Sequence, residues 1–182
     1  FNKLAKAPVL ISKVNPSLHA DVATNVLKYY GYFNANVEAE VIPSAKNPKK
    51  AKVSYKGILG TPYRYDTISY CNFAQGADSL IRSEWNSRLI RQGQQFDAAA
   101  MEQERNRINK LLRNNGYYYY QPGYINYLAD TVSVPGMVSM RVQPLNNLSP
   151  QISRIWIIGE INLRVTNENM GLSRGMKADT LK

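Results

Sequence analysis

Cys71 and His19 are the single cysteine and the single histidine of this chain. A lone thiol has no internal disulfide partner and reads as a small hydrophobe. A lone imidazole, with no second histidine and no cysteine cluster, lacks the ligand set of a metal site, and His19 reads as an ordinary residue of a helix's first turn. Glu102 and Glu104 stand two positions apart on a predicted helix, where i and i+2 side chains diverge, so they cannot converge as a carboxylate pair. The glycines form neither a dinucleotide fingerprint nor a phosphate loop. With no activated nucleophile, acid–base pair or cofactor motif in the sequence, the expectation is a non-enzymatic protein with no catalytic, cofactor-binding or metal-binding residues.

The formal charge of +10, from 23 Lys and Arg against 13 Asp and Glu, raises the question of a polyanion partner. The densest basic cluster, Lys46, Lys49, Lys50, Lys52 and Lys56, contains Asn47-Pro48 and lies between two expected strands. It is predicted to be a solvated hairpin loop. Tyr117 to Tyr120 could stack on bases, which keeps an RNA-binding α+β domain as an alternative. That reading needs a basic residue, glycine and spaced aromatics inside a central strand, whereas here the Gly-aromatic segments follow helices, and no nucleic acid is expected as a partner. Hydrophobic residues make up 44% of the chain and charged residues 20%, enough apolar material for packed cores. No window approaches the roughly 18 apolar residues of a membrane-spanning helix, and Phe1-Asn2-Lys3-Leu4 is not a signal peptide, so the segment is expected to be soluble.

The elements that would position these residues emerge when the chain is compared with itself. Leu18, Val22 and Val26 recur at i, i+4 and i+8, the apolar stripe of a surface helix, which Gly31 ends. A second helix is predicted from Ala98 to Arg113, with Asp97 as N-cap, Met101, Ile108, Leu111 and Leu112 on one side, and a stop at Asn114-Asn115-Gly116. Gly31 and Gly116 are 85 positions apart, and each is followed by aromatics, Tyr32-Phe33 and Tyr117-Tyr118. Val53-Ser54 and Val138-Ser139 repeat the same offset.

Behind each corner a hairpin is expected. Asn36 to Ile42 alternates Val37, Ala39 and Val41 against Asn36, Glu38 and Glu40, and Ala51, Val53 and Tyr55 continue the pattern after Pro43 and a polar turn. Tyr124 to Leu128 and Val138 to Val142 are the second pair, joined through Val134-Pro135-Gly136. Pro62 to Tyr70 reads as a further strand, followed by a short helix, and Arg154 to Ile161 as a similar strand after the second unit. The fold class is therefore α+β, in tandem β-α-α-β-β units, each a three-stranded sheet on two helices. Residues 1–61 form the C-terminal part of a first unit, 62–148 a complete unit, and 149–182 the opening strand of a third, with Pro62 and Pro150 as rigid links.

A unit of this order and size, with Leu27-Lys28-Tyr29-Tyr30-Gly31-Tyr32-Phe33 and Leu112-Arg113-Asn114-Asn115-Gly116-Tyr117-Tyr118 after its second helix, resembles the POTRA (polypeptide-transport-associated) domain. The pair is similar to the periplasmic arms of Omp85-superfamily outer-membrane proteins, nearest the surface-antigen or translocation-and-assembly-module type of Bacteroidetes-like bacteria. The resemblance implies a location on the periplasmic face of the outer membrane and a C-terminal barrel attached outside this segment. It also implies partners among unfolded outer-membrane protein clients and periplasmic partner proteins, bound partly by β-augmentation. The strands whose edges would serve are Val37, Glu38, Ala39, Glu40 and Val41, up to Ile42, and Tyr124, Ile125, Asn126, Tyr127 and Leu128. A passive periplasmic spacer is the remaining alternative. The corner aromatics Tyr32, Phe33, Tyr117 and Tyr118 read as packing residues rather than binding platforms.

Overall fold

The computed structural model describes residues 9, 10 and 13–162. Its first helix, α1 (Pro16–Tyr29), begins where proline fits the first helical position and Asn15 accepts from the Leu18 amide at 3.2 Å. It ends at Gly31, whose φ of +88° is open to glycine with little penalty. Strands β1 (Asn36–Ser44) and β2 (Asn47–Ile58) then form an antiparallel hairpin that packs on α1. Only Ala45 and Lys46 form its turn. The basic cluster is thus not a loop, as the sequence suggested, because Lys49, Lys50, Lys52 and Lys56 all lie within β2. Strand alternation puts Lys52 and Lys56 opposite Ile42 and Glu38 on one face and Val53 and Tyr55 opposite Val41 and Ala39 on the other.

The expected apolar stripe of α1 is also differently placed. Leu18, Val22 and Val26 are 53%, 52% and 50% exposed, while Ala20 is the residue buried in the helix. The hairpin covers the neighbouring face of α1, and no described element covers the stripe.

The following residues make the complete β-α-α-β-β unit. Strand β3 (Arg64–Tyr70) leads to α2 (Gln75–Ser83), α3 (Ala98–Asn114), β4 (Ile125–Asp130) and β5 (Met137–Pro144). The sheet order is β3-β5-β4, with β5 parallel to β3 and antiparallel to β4. The parallel pair needs a long crossover, and the two helices supply it. They bury Ile81, Ile108, Leu111 and Leu112 against Tyr65, Tyr70, Ile125, Val138, Met140 and Val142 of the sheet. Asp97 caps α3 as expected, accepting from the Ala99 amide at 2.8 Å. The two glycine corners match: Gly116 has φ +90°, and like Gly31 it follows the helix that precedes a hairpin.

Inside this core lies a carboxylate. Glu104 is 0% exposed, yet all its demands are met. Tyr70 Oη donates to it at 2.8 Å, the Leu89 amide at 2.9 Å, and Arg107 through Nε at 2.9 Å and Nη2 at 2.8 Å. Arg107 also reaches Glu84 at 3.4 Å. Burial alone would raise the Glu104 pKa, but the Arg107 contacts and the Leu89 and Tyr70 hydrogen bonds outweigh it and hold the carboxyl below its ordinary range. One side chain therefore ties the end of β3, the loop after α2 and the middle of α3 together.

Arg154 to Ile161 departs from the expectation of a strand. It has no strand pairing among the described residues, because a strand exists only through a neighbour and none lies beside it. Instead the Trp156 amide donates to Gly116 O at 2.7 Å. No helix among the described residues is long and apolar enough to cross a membrane.

Replacing Arg107 by Met is expected to cost about 3–5 kcal/mol at neutral pH, since it leaves a buried carboxylate without its cation. The pH dependence reverses as well. In the native chain Glu104 contributes stability that is present above its unfolded pKa and is lost as pH falls through its depressed folded value. In the Arg107→Met variant burial dominates, so acidification that protonates Glu104 restores stability. Urea denaturation at neutral and acid pH measures both effects.

Candidate functional site

The strands singled out for binding are both sheet edges, since β1 pairs only with β2 and β4 only with β5. An edge accepts a new strand only through main-chain groups that nothing else has taken. In β1 the Val37 amide donates to Thr24 Oγ1 at 3.0 Å, which places Val37 on the outward side of the ladder. Alternation then turns Ala39, Val41 and Pro43 outward too, while Glu38, Glu40 and Ile42 pair with β2. Pro43 has no amide to offer, and its outward position explains how a strand tolerates it. Thr24 also donates to Ala20 O at 3.0 Å, so the start of this edge is tied to α1. What remains without a partner among the described residues is two consecutive outward amides, Ala39 and Val41, with the carbonyls around them.

The β4 edge is different. Leu145 donates to Tyr124 O at 2.8 Å, which makes Tyr124, Asn126, Leu128 and Asp130 the inward set. Ile125, Tyr127 and Ala129 face out. The Ile125 amide is taken by Pro122 O, and the Tyr127 amide by Asn126 Oδ1 at 2.9 Å. Only Ala129 keeps an outward amide without a partner within the described residues. Tyr124 itself lies in a short 3₁₀ turn, Pro122–Tyr124, rather than in the strand. The Tyr127 side chain turns into the core and donates to Met101 O at 2.8 Å, its phenol pKa raised by burial. Among the described residues, β1 therefore keeps two outward amides without a partner and β4 keeps one.

The Gly-aromatic corners hold the successive parts together. Gly31 O accepts from the Tyr63 amide at 2.9 Å, and Gln95 Nε2 donates to Tyr30 O at 2.8 Å. Phe33 stacks between Tyr63 and Phe96, each ring centroid 5.0 Å away. A Cβ on Gly31 would come within 2.9 Å of Phe96 O, so the contact requires glycine. At the second corner a Cβ on Gly116 would lie 2.7 Å from Ile155 Cγ2. Tyr117 and Tyr120 are buried, whereas Tyr118 and Tyr119 are exposed, so packing claims half of the tyrosine run. Cys71 is half-buried, with Gln143 Oε1 3.8 Å from its sulfur. No group of three or more His, Cys, Asp or Glu side chains gathers among the described residues.

No protein-family model and no curated protein matches the chain. Among solved structures it is similar to POTRA domains 3–5 of BamA from Haemophilus influenzae, at 14% identity and a TM-score of 0.43 over 69% of this chain. It is also similar to BamA from Haemophilus ducreyi lacking POTRA domains 1–3, at 15% identity and a TM-score of 0.42 over 70% of this chain. The chain spans 48% of the first of these structures and 22% of the second.

Amide hydrogen exchange separates the two edges. Ala39, Val41 and Ala129 are expected to exchange at near-unprotected rates, and Val37, Ile125 and Tyr127 more slowly by roughly tenfold or more, because their outward amides are already bonded.

Proposed function

We propose that this chain is a periplasmic polypeptide-binding region of an outer-membrane β-barrel protein that assembles or translocates outer-membrane proteins. In this reading residues 1–61 are the C-terminal part of one POTRA-like unit, 62–148 a complete unit, and 149–182 the start of a third. A barrel is attached outside the segment. Its partners are unfolded outer-membrane protein clients and periplasmic partner proteins. The finer assignment, to the surface-antigen or translocation-and-assembly-module type, rests on the Gly-Tyr-Phe and Gly-Tyr-Tyr corners and belongs to the same proposal.

The observation that carries the reading is the open edge of β1. Among the described residues Ala39 and Val41 present amides without a partner in a row, and a client strand that adds there gains main-chain hydrogen bonds with little demand on its sequence. Val37, Ala39 and Val41 alternate with Glu38 and Glu40, so alternate side chains of an added strand meet an apolar and an acidic face. A passive spacer is the competing reading, and the close joint at Gly31, Phe33 and Phe96 favours it, since a spacer needs a fixed angle between its parts.

Photo-crosslinking with unfolded barrel-strand peptides decides between them. A crosslinker at Glu38 is expected to capture peptide and one at Leu128 to capture little. Val41→Pro removes one outward amide without touching a bond to β2, and is expected to weaken peptide affinity about fivefold, the worth of roughly one hydrogen bond. Silence at both positions would leave the spacer.

A further inference from the structure

The lysines of β2 play no part in peptide binding, and their charge is unevenly placed. From Val41 to Tyr65 the chain contains Lys46, Lys49, Lys50, Lys52, Lys56 and Arg64, and no Asp or Glu. The carboxylates of the hairpin are Glu38 and Glu40, toward its base, where Glu38 stands opposite Lys56. Toward the turn Lys52 stands opposite Ile42, and Lys46, Lys49 and Lys50 surround the turn itself. All four of these lysines are exposed, and none has a carboxylate within ion-pair distance among the described residues. A surface that uses charge only to stay in solution mixes both signs. A cluster of one sign instead concentrates anions beside it.

The fold carries this cluster to the far end of the hairpin. Thr24 Oγ1 meets the Val37 amide at 3.0 Å, and earlier in α1 His19 Nδ1 lies 3.3 Å from Oη of Tyr55, the residue opposite Ala39. The helix therefore runs back along β1 toward the turn. Only Ser17 and Leu18 separate His19 from Pro16, so at a rise of about 1.5 Å per residue the helix reaches no further than Val41. From Ile42 onward the hairpin extends past the start of α1. Ile42 shares with Lys52 the face turned away from the helix and is 44% exposed. The tip thus sets four ammonium groups around an exposed aliphatic side chain, and lysine stems can lie along apolar material while their heads reach a charged layer.

We infer that the tip of the β1–β2 hairpin, Ile42 with Lys46, Lys49, Lys50 and Lys52, docks on the surface of an anionic lipid bilayer. The lysines meet the negative headgroups, and Ile42 enters the boundary layer beneath them. Each lysine held at such a surface strengthens the partition by roughly fivefold. Nucleic acid fits the tip less well. Between Val41 and Ser54 there is no Arg to grip a phosphate in two places and no aromatic ring to stack on a base, and Tyr55 turns toward α1. A bilayer requires neither, because its headgroups rearrange around point charges and impose no register. The inference goes beyond peptide binding and does not depend on it.

Co-sedimentation of the chain Phe1–Lys182 with two kinds of vesicle tests this, one of phosphatidylcholine alone and one of phosphatidylcholine mixed with phosphatidylglycerol. Only the mixed vesicles are expected to carry the chain down, and added salt releases it. Lys49→Gln with Lys50→Gln weakens binding roughly 25-fold, at about fivefold per lysine. Lys28→Gln with Lys110→Gln makes the same change of charge at exposed positions of α1 and α3 and is expected to alter binding by less than about twofold. An environment-sensitive dye on Ala45→Cys, made together with Cys71→Ser, shifts to the blue on the mixed vesicles. Sedimentation with both vesicle types alike, or with neither, overturns the inference. So does an equal loss from the two lysine pairs, which assigns the effect to net charge, or tighter binding of an RNA oligonucleotide through Lys49 and Lys50, which assigns the tip to nucleic acid. Peptide capture at Glu38 is read without vesicles, so the two proposals fail separately.

Discussion

A middle strand has to find partners on both of its edges, and this requirement organises the molecule. Every strand amide that leaves water must be given another acceptor, because an unmet buried donor costs on the order of 1–3 kcal/mol. In the complete unit β5 meets it with β4 on one side and β3 on the other. The parallel partner forces a long crossover, the crossover is made of two helices, and the helices bring the apolar layer that closes the core. Sheet order, helix placement and core composition are in this sense one solution. The first hairpin, with a single partner per strand among the described residues, has a largely exposed surface.

Glu104 shows how a polar group can serve that same closure. A buried charge is an expensive choice unless every lone pair is used, and here a phenol, an amide and a guanidinium use them. The cost of leaving any one of them out makes the arrangement specific: Tyr70, Leu89 and Arg107 have to come together for the core to close. Tyr70 feels the same environment, its phenol pushed well above the ordinary range by burial and by the adjacent carboxylate.

Much of this was legible in the residues themselves. Helix ends could be read at Asp97, Gly31 and Gly116, because caps and left-handed glycines act through local geometry. Strand alternation in Val37 to Val41 was equally plain, being a local pattern. What escaped reading was set by distant partners. Glu104 looked like any acidic residue on a helix, and its meaning depends on Tyr70, 34 positions away. The periodicity of Leu18, Val22 and Val26 identifies an apolar stripe but says nothing of whether a layer covers it. Arg154 to Ile161 has the composition of a strand, yet composition cannot provide the neighbour. The closing of the β4 edge hinges on the rotamer of Asn126, a choice no pattern encodes.

The joint at Gly31 has a mechanical consequence. Because glycine has no side chain, the two backbones meet directly, with the Tyr63 amide on Gly31 O and Phe33 seated between Tyr63 and Phe96. Side chains in contact can slide by changing rotamer, but peptide groups cannot. Rotation about this point must break the main-chain bond and unseat the Phe33 ring together, so resistance rises steeply from the first few degrees. The α1 hairpin and the following sheet are thus joined by a main-chain hydrogen bond and a seated aromatic ring together, a shorter and stiffer connection than one made by side chains alone.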